Sequence, residues 1–596
     1  MQQGFIMKRL FIIPIVAIFA ALAFTHCGSS QPSYFGSEGA DGGGGGGPDG
    51  GDDDGGQSFQ FDASGDASPA VTHCSADLHQ ILDANNNVVS TCPPDQGCGA
   101  SGCVPACDSA AQNKSTVGCD YLTIAPDSID EVAGGCFAAF LANTWTTDVS
   151  ITASYAGKPL NIGTIARQPK GAGSNVSFQP LPGNKLPAGQ IAVLFLNYSA
   201  GTACPDGITA GVNGTDAATH GTGIGKSFHI TTSAPVAAYD VFPFGGSISF
   251  AASATLLLPT TSWTTNYVAV APFDRDQAVG FAQNAVAVVA TESGTTVTIS
   301  PTSPIVGGSG VASTGKGQPH TYNLSAGDVL QFTQDDDLTG SPIVSNKPVG
   351  VWAMATCMNI DVDDTACDAA HQEIPPVAAL GHEYVAVRYR NRASSTESVP
   401  WRIVGAVNGT NLKYSPKTPA GAPTTIGFGK LAEFWDPGPF VVQSQDDQHP
   451  FYMSAHMTGQ DHQPASGTGD PEFVNVIAAQ EFLASYVFYT DVTYADTDLV
   501  LVRKDYGQGY KDVNLDCLGV VTGWKPIAQT TYQYANVSVQ TNGAAAGKCD
   551  NGFHTIKSEL PFGLTVWGWD QYVSYAYPAG ASVQPVNSVV VPAQPF

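Results

Sequence analysis

Four times along this chain an alternating strand reaches a serine, a proline follows within a few residues, and a second alternating strand begins. The stretches are SFHITTSAPVAAYDVF around Ser233 and Pro235, SPIVSNKPVGVWAM around Ser345 and Pro348, FVVQSQDDQHPFYMSA around Ser444 and Pro450, and FHTIKSELPFGLTVWGW around Ser558 and Pro561. The serines recur every roughly 100–115 residues, the size of one small β domain and too long for a solenoid repeat. The body of the chain is therefore a repeated β scaffold.

Strands can be counted inside one repeat. YVAVAP, AVAVVAT, TVTIS, TYNLS, DVLQF, PIVS and PVGVWAM follow one another, and the next repeat keeps the order with EYVAVRY, WRIVGAV, NLKYS, TTIGF, LAEFW, FVVQS and FYMSA. Each run alternates with period two and ends in Gly, Pro, Asn or Ser, as strands do. The spacing predicts an all-β fold of tandem sandwich-like repeats, with a β-propeller as the alternative. Repeats are expected at 136–250, 251–360, 361–470 and 471–596, and no long helix is expected.

Composition narrows the partners. With 24 Lys+Arg against 51 Asp+Glu the net charge is −27, although only 13% of residues are charged. Such a surface repels polyanions, so no nucleic acid is expected as a partner.

The start of the chain reads as an export signal. Lys8 and Arg9 precede an apolar run from Leu10 to Phe24, too short to span a membrane comfortably, and Cys27 with Gly28 and Ser29 follows. This resembles a bacterial lipoprotein signal over residues 1–27, with Cys27 as the lipidated residue and His26 departing from the usual small residue before it. Membrane attachment is expected through acyl chains alone. Residues 28–70, including DGGGGGGPDGGDDDGG, form an expected flexible tether of glycine and self-repelling aspartate. The expected location is the bacterial outer membrane or cell surface, or the medium after secretion.

Setting Cys27 aside, 12 of the 13 cysteines remain, an even number that favours disulfides in an exported chain. Cys136 with Cys204, Cys357 with Cys367 and Cys517 with Cys549 are the readable pairs. A Cys-rich module at 71–135 is too small to fold without cross-links, and its connectivity stays open. Zinc at Cys98, Cys103 and Cys107 is the rival reading, against which the spacing and the oxidising compartment both argue.

No stretch assembles an active site, and the chain is not expected to be an enzyme. His371, Glu373 and His382 are the residues a hidden hydrolase would have to use, and His456, Asp461 and His462 form the richest histidine cluster. No cofactor is expected. Structural calcium is the one metal reading retained, on Asp361, Asp363, Asp364 and Asp368 in the loop DVDDTACD, although no EF-hand pattern is present. In VWGWDQYVSYAYPAG, the residues Trp567, Trp569, Tyr572, Tyr575 and Tyr577 are candidates for an aromatic binding surface, with inter-strand core as the bland alternative.

Several phrases quoted above carry a family resemblance. From about Pro259 onward VVATESGTTVTISP, YNLSAGDVLQF, DLTGSPIVSNKPVGVW, CDAAHQEIPPVAALGHEYVAV, GDPEFVNVIAAQEFLASYVFYT and LPFGLTVWGWDQYVSYAYPAG resemble the N-terminal domain family of IgGFc-binding proteins. The resemblance implies a bacterial, lipoprotein-tethered member whose Cys357 and Cys367 fall where such members carry a linked pair. It brings no catalytic motif and no immunoglobulin-contact residues. What it implies is surface binding or adhesion to an extracellular protein or glycan. The alternative is an envelope or matrix protein that assembles laterally without a discrete ligand.

Overall fold

The Ser…Pro motif marks a corner. In the computed structural model, which describes residues 72–595 apart from 172–174, 274–281, 361–366, 394 and 463–464, the strand Phe228–Phe242 pairs through Phe228–Thr232 with Ile151–Tyr155. Past Pro235 it pairs through Val236–Val241 with Ala138–Asn143. Proline has no amide hydrogen to give to a ladder, so it sits where the strand leaves one partner and takes the next. The same exchange occurs in Pro342–Met358, where Ile343–Ser345 pairs with Val297–Ile299 and Val349–Ala355 with Asn284–Ala290. It recurs in Gly552–Asp570, which passes from Val513–Leu515 to Asp496–Arg503. Around Ser444 and Pro450 the strands Phe440–Gln443 and Phe451–Met457 are separate elements.

A buried tyrosine fixes each corner. Tyr121, Tyr267, Tyr384 and Tyr486 donate their hydroxyls to the carbonyls of Val236, Val349, Phe451 and Phe562, in each case the residue directly after the motif proline. In three of them the hydroxyl also accepts an amide three residues back, from Thr264, Gly381 and Leu483. The first such strand is Val117–Thr123, which pairs with Phe228–Phe242. Composition places it in the Cys-rich stretch, but its ladder puts it in the first repeat's sheet, ahead of Cys136.

The four repeats close on one another. Each long strand turns back into a short inner strand: Ser253–Leu256, Asp368–Glu373, Glu472–Asn475 and Val573–Pro578. Each inner strand packs beside two others, the first against the second and fourth, the third likewise, so the four form a ring. Side chains stitch it. Gln372 Nε2 donates to the carbonyls of Ala254 at 2.6 Å and Ala576 at 3.1 Å, and Asn475 Nδ2 donates to the Glu373 carbonyl at 2.9 Å.

Period-two alternation explains the packing. In Asn284–Ala290, Ala285, Ala287 and Val289 join a core shared with the first repeat, while Val286, Val288 and Ala290 join one shared with the third. In Phe137–Asn143, Phe137, Ala139 and Leu141 face the second repeat, and Ala138, Phe140 and Ala142 face the fourth. The third and fourth repeats share the core that holds Trp401, Val500 and Trp567. Each sheet is thus covered on both faces, as propeller blades are, and the sandwich-like layering lies between successive repeats. The fold is all-β, with two short helices among the described residues, Ala106–Asn113 and Ile162–Ile165.

Ahead of the ring lies the expected disulfide-rich stretch, bonded Cys74–Cys98, Cys92–Cys103 and Cys107–Cys119. Those bonds take all three cysteines of the zinc reading. Cys136–Cys204, Cys357–Cys367 and Cys517–Cys549 are also bonded. Cys27 and the tether lie outside the described residues.

Candidate binding face

The first, third and fourth of the loops that join long strand to inner strand meet at one end of the ring. The Tyr572 amide donates to Gln460 Oε1 at 3.3 Å and the Gly469 amide to the Asp570 carbonyl at 2.7 Å, tying the third loop to the fourth. The first loop, 243–252, packs on the fourth hairpin through the turn Gly246–Ile248. Gly246 is required there: its φ is +59°, and a Cβ would meet the Thr493 carbonyl oxygen at 2.5 Å.

This end carries exposed apolar side chains. Ile248 is 65% exposed, Phe250 59% and Tyr572 39%. Phe250 and Tyr572 also hold left-handed backbone, at φ +55° and +56°. A non-glycine residue pays about 1–2 kcal/mol for that conformation, and an aromatic ring left in water gains nothing in return within the fold. Nearby in the third loop, His462 stacks on Trp435 with ring centroids 5.1 Å apart.

The other predicted aromatics are not surface. Trp567 and Trp569 are 1% exposed and pack on Tyr389, and Arg390 lies over Trp569 at 4.6 Å. Tyr575 and Tyr577 are buried against Tyr494 and Tyr239. Alternation separates these rings onto two faces as expected, but a neighbouring sheet covers each face. Tyr572 alone of the five reaches solvent, because it sits in the turn.

The histidines and acids of the sequence reading are scattered. His371 and Asp240 form a wholly buried pair with Nε2–Oδ1 at 2.6 Å, and Glu373 accepts the Leu258 amide and Trp263 Nε1. Burial pushes the Glu373 carboxyl well above its usual range. His382 is hydrogen-bonded with Gln480 at 3.2 Å. His456 bridges the carbonyls of Pro400 and Pro272, and burial holds its pKa down to about 3. These residues act as internal ties. Of the calcium candidates, Asp361, Asp363 and Asp364 lie outside the described residues, and Asp368 opens an inner strand with 0% exposure instead of lying in the loop.

Two open clefts flank the ring. One, of about 530 Å³, lies between the first two repeats and holds His229 and Asp120, whose Nε2–Oδ1 distance is 3.2 Å. That hydrogen bond raises the histidine's pKa. Thr260 donates to the same Asp120 oxygen and not to the histidine, so the group is a charge pair without an activated hydroxyl. The other cleft, of about 780 Å³, runs between the disulfide-rich stretch and the last repeat. Among the described residues Asp516, Cys517 and His554 come together like metal ligands, but Cys517 is bonded to Cys549, which leaves two donors.

The family profile described as IgGFc binding protein matches residues 253–568, more than half of the chain. The chain belongs to the IgGFc-binding protein family. No curated protein and no solved structure matches it. The matched segment begins at the first inner strand and ends two residues short of the last long strand's end, so it takes in the second and third repeats and most of the fourth, and leaves out most of the first repeat and the fourth inner strand. Phe250 and Tyr572 stand just beyond its two ends. The family is of extracellular, protein-binding type, and among the described residues no helix is long and apolar enough to cross a membrane.

Sequence reasoning passed over Ile248 and Phe250. The available signal was SISF, a short alternation of serine with apolar residues standing between glycines and alanines.

Proposed function

We propose that this protein binds an extracellular protein or glycan through the loop end of its ring, by contact and without catalysis. The observation that carries the reading is that Phe250 and Tyr572 are exposed aromatics on left-handed backbone, in loops at the end that also exposes Ile248. Rigid amphipathic rings supply contact area at low entropic cost and dominate interface energetics elsewhere. Export and lipidation at Cys27, with residues 28–70 as the tether, would hold the ring at a bacterial cell surface.

The experiment uses the chain with Cys27→Ser on arrays of extracellular proteins, immunoglobulin Fc among them, and of glycans. Saturable binding lost in Phe250→Ser and Tyr572→Ser, with unchanged melting, supports the face. Binding that survives both variants refutes it.

Lateral assembly has one observation in its favour. Val88–Thr91 is the outer strand of a three-stranded sheet with all four residues exposed, Val88 by 53% and Val89 by 59%. Such an edge is a template for strand addition. Concentration-driven assembly abolished by Val89→Lys, with no array ligand, would favour this second reading.

A further inference from the structure

The larger cleft, of about 780 Å³, falls within the ~300–1,000 Å³ typical of small-molecule sites. Ser75, Asp77, Asn85 and Asn86 of the disulfide-rich stretch line one wall, and Ser485, Ser558 and Glu559 of the last repeat line the other. Asn113 and Gln584 lie between them, and Leu78, Leu82, Leu483 and Val487 add apolar contact. None of the lining residues belongs to the loops that carry Phe250 and Tyr572.

The polar lining is made of amides, hydroxyls and two carboxylates, and no lysine or arginine is part of it. An anionic ligand would meet Asp77 and Glu559 with only His73 to answer its charge, and that ring is already hydrogen-bonded with Asn86 Oδ1 at 2.8 Å. Hydrogen-bonding capacity is left over. Among the described residues the Asn85 side-chain amide and the Ser485 hydroxyl make no hydrogen bond, Asn86 Nδ2 is unspent, and Gln584 uses only its Nε2, on the Asn113 carbonyl at 3.2 Å. Side chains that both donate and accept, with little charge, match a ligand rich in hydroxyls.

Beyond Glu559 the wall leads to an aromatic step. Glu559 Oε2 lies 3.2 Å from Lys511 Nζ, and the Lys511 carbonyl accepts from Arg503 Nη1 at 2.8 Å. The Arg503 guanidinium stands 4.1 Å from the Trp524 ring centroid and 5.2 Å from that of Tyr510, and both rings are half-buried. A sugar ring has an apolar C–H face that packs on such side chains. A peptide is the poorer fit. The strand Leu483–Thr490 beside the cleft has spent much of its outer backbone, because the Val487 carbonyl accepts from the Tyr239 hydroxyl and the Leu483 amide donates to that of Tyr486, so an added strand finds little ladder to join.

We propose that this cleft binds a short neutral oligosaccharide, with Asn85, Asn86, Ser485 and Gln584 hydrogen-bonding its hydroxyls and with Tyr510 and Trp524 beyond Glu559 packing against a sugar ring. The site is separate from the loop end and stands or falls independently of it.

The test takes the whole chain with Cys27→Ser on an array of neutral glycans, acidic glycans and extended peptides, followed by titration calorimetry with the neutral oligosaccharide bound best. The expected result is saturable binding that weakens about three- to tenfold in each of Asn85→Ala, Ser485→Ala and Tyr510→Ala, with unchanged melting, and that persists in Phe250→Ser combined with Tyr572→Ser. Binding of no neutral glycan, or of acidic glycans or peptides alone, overturns the proposal, and this needs no variant to fold. Binding indifferent to all three cleft variants overturns it too. If that binding is instead lost in the Phe250→Ser, Tyr572→Ser variant, the sugar sits at the loop end, and the cleft proposal fails while the loop-end reading stands.

Discussion

The Tyr267 hydroxyl donates to the Val349 carbonyl across 2.7 Å while accepting the Thr264 amide at 3.2 Å. Both partners are backbone, and the ring is fully buried. Tyr267→Phe leaves a buried carbonyl and an amide unmet without changing shape. Chemical denaturation should show a loss of about 1–3 kcal/mol, and Tyr384→Phe a similar one, with no change in ligand binding.

His220 clamps two loops. Its Nδ1 lies 2.9 Å from Asp127 and its Nε2 3.0 Å from Asp216. The Asp127 hydrogen bond, then that of Asp216, raises its pKa from 6.5 to about 10. A raised histidine stabilises fully below its unfolded pKa, so the contribution is whole below pH 6.5 and fades as pH climbs toward about 10. The melting difference between wild type and His220→Gln should be largest at pH 6 and shrink steadily to pH 10. A difference that grows with pH would contradict the clamp.

Two disulfides should rank by loop length. Cys136–Cys204 spans 68 residues and Cys357–Cys367 spans 10. Loop entropy gives about 4 kcal/mol for the first and about 3 kcal/mol for the second. Paired serine variants, compared in denaturant, should keep that order.

Trp567→Ala and Trp569→Ala should act on folding. Each opens a cavity beside Tyr389, and large aromatic truncations of this kind cost about 3–5 kcal/mol. The expected readout is lowered melting. Weakened ligand binding at constant stability would mean that these rings reach the surface after all.

Much of this fold was legible because its markers are local. Ser233, Pro235 and their three counterparts announce the corners, and period-two runs announce the strands. The tyrosines were equally available, since NYVAV and EYVAV repeat around Tyr267 and Tyr384. Their bonding partners, 82 residues away for Tyr267 and 67 for Tyr384, were not. Alternation assigns Trp567 and Tyr575 to faces, but says nothing of what covers a face. That cover comes from the next sheet, and for the first and last repeats it joins Phe140 to Tyr489, at 4.9 Å between ring centroids. No short-range pattern records such a contact. The proposed face hid for another reason: the alternation SISF at Ile248 and Phe250 is too short to stand out, and Phe250 lies in a loop outside any strand.

Closure of the ring has a mechanical consequence. Because each sheet is a wall of two cores, prising one repeat loose strips its neighbours on both sides, and no repeat is an end from which unravelling can begin. Resistance to pulling and to protease attack should therefore be shared by the whole circle, each segment held like a stone in an arch.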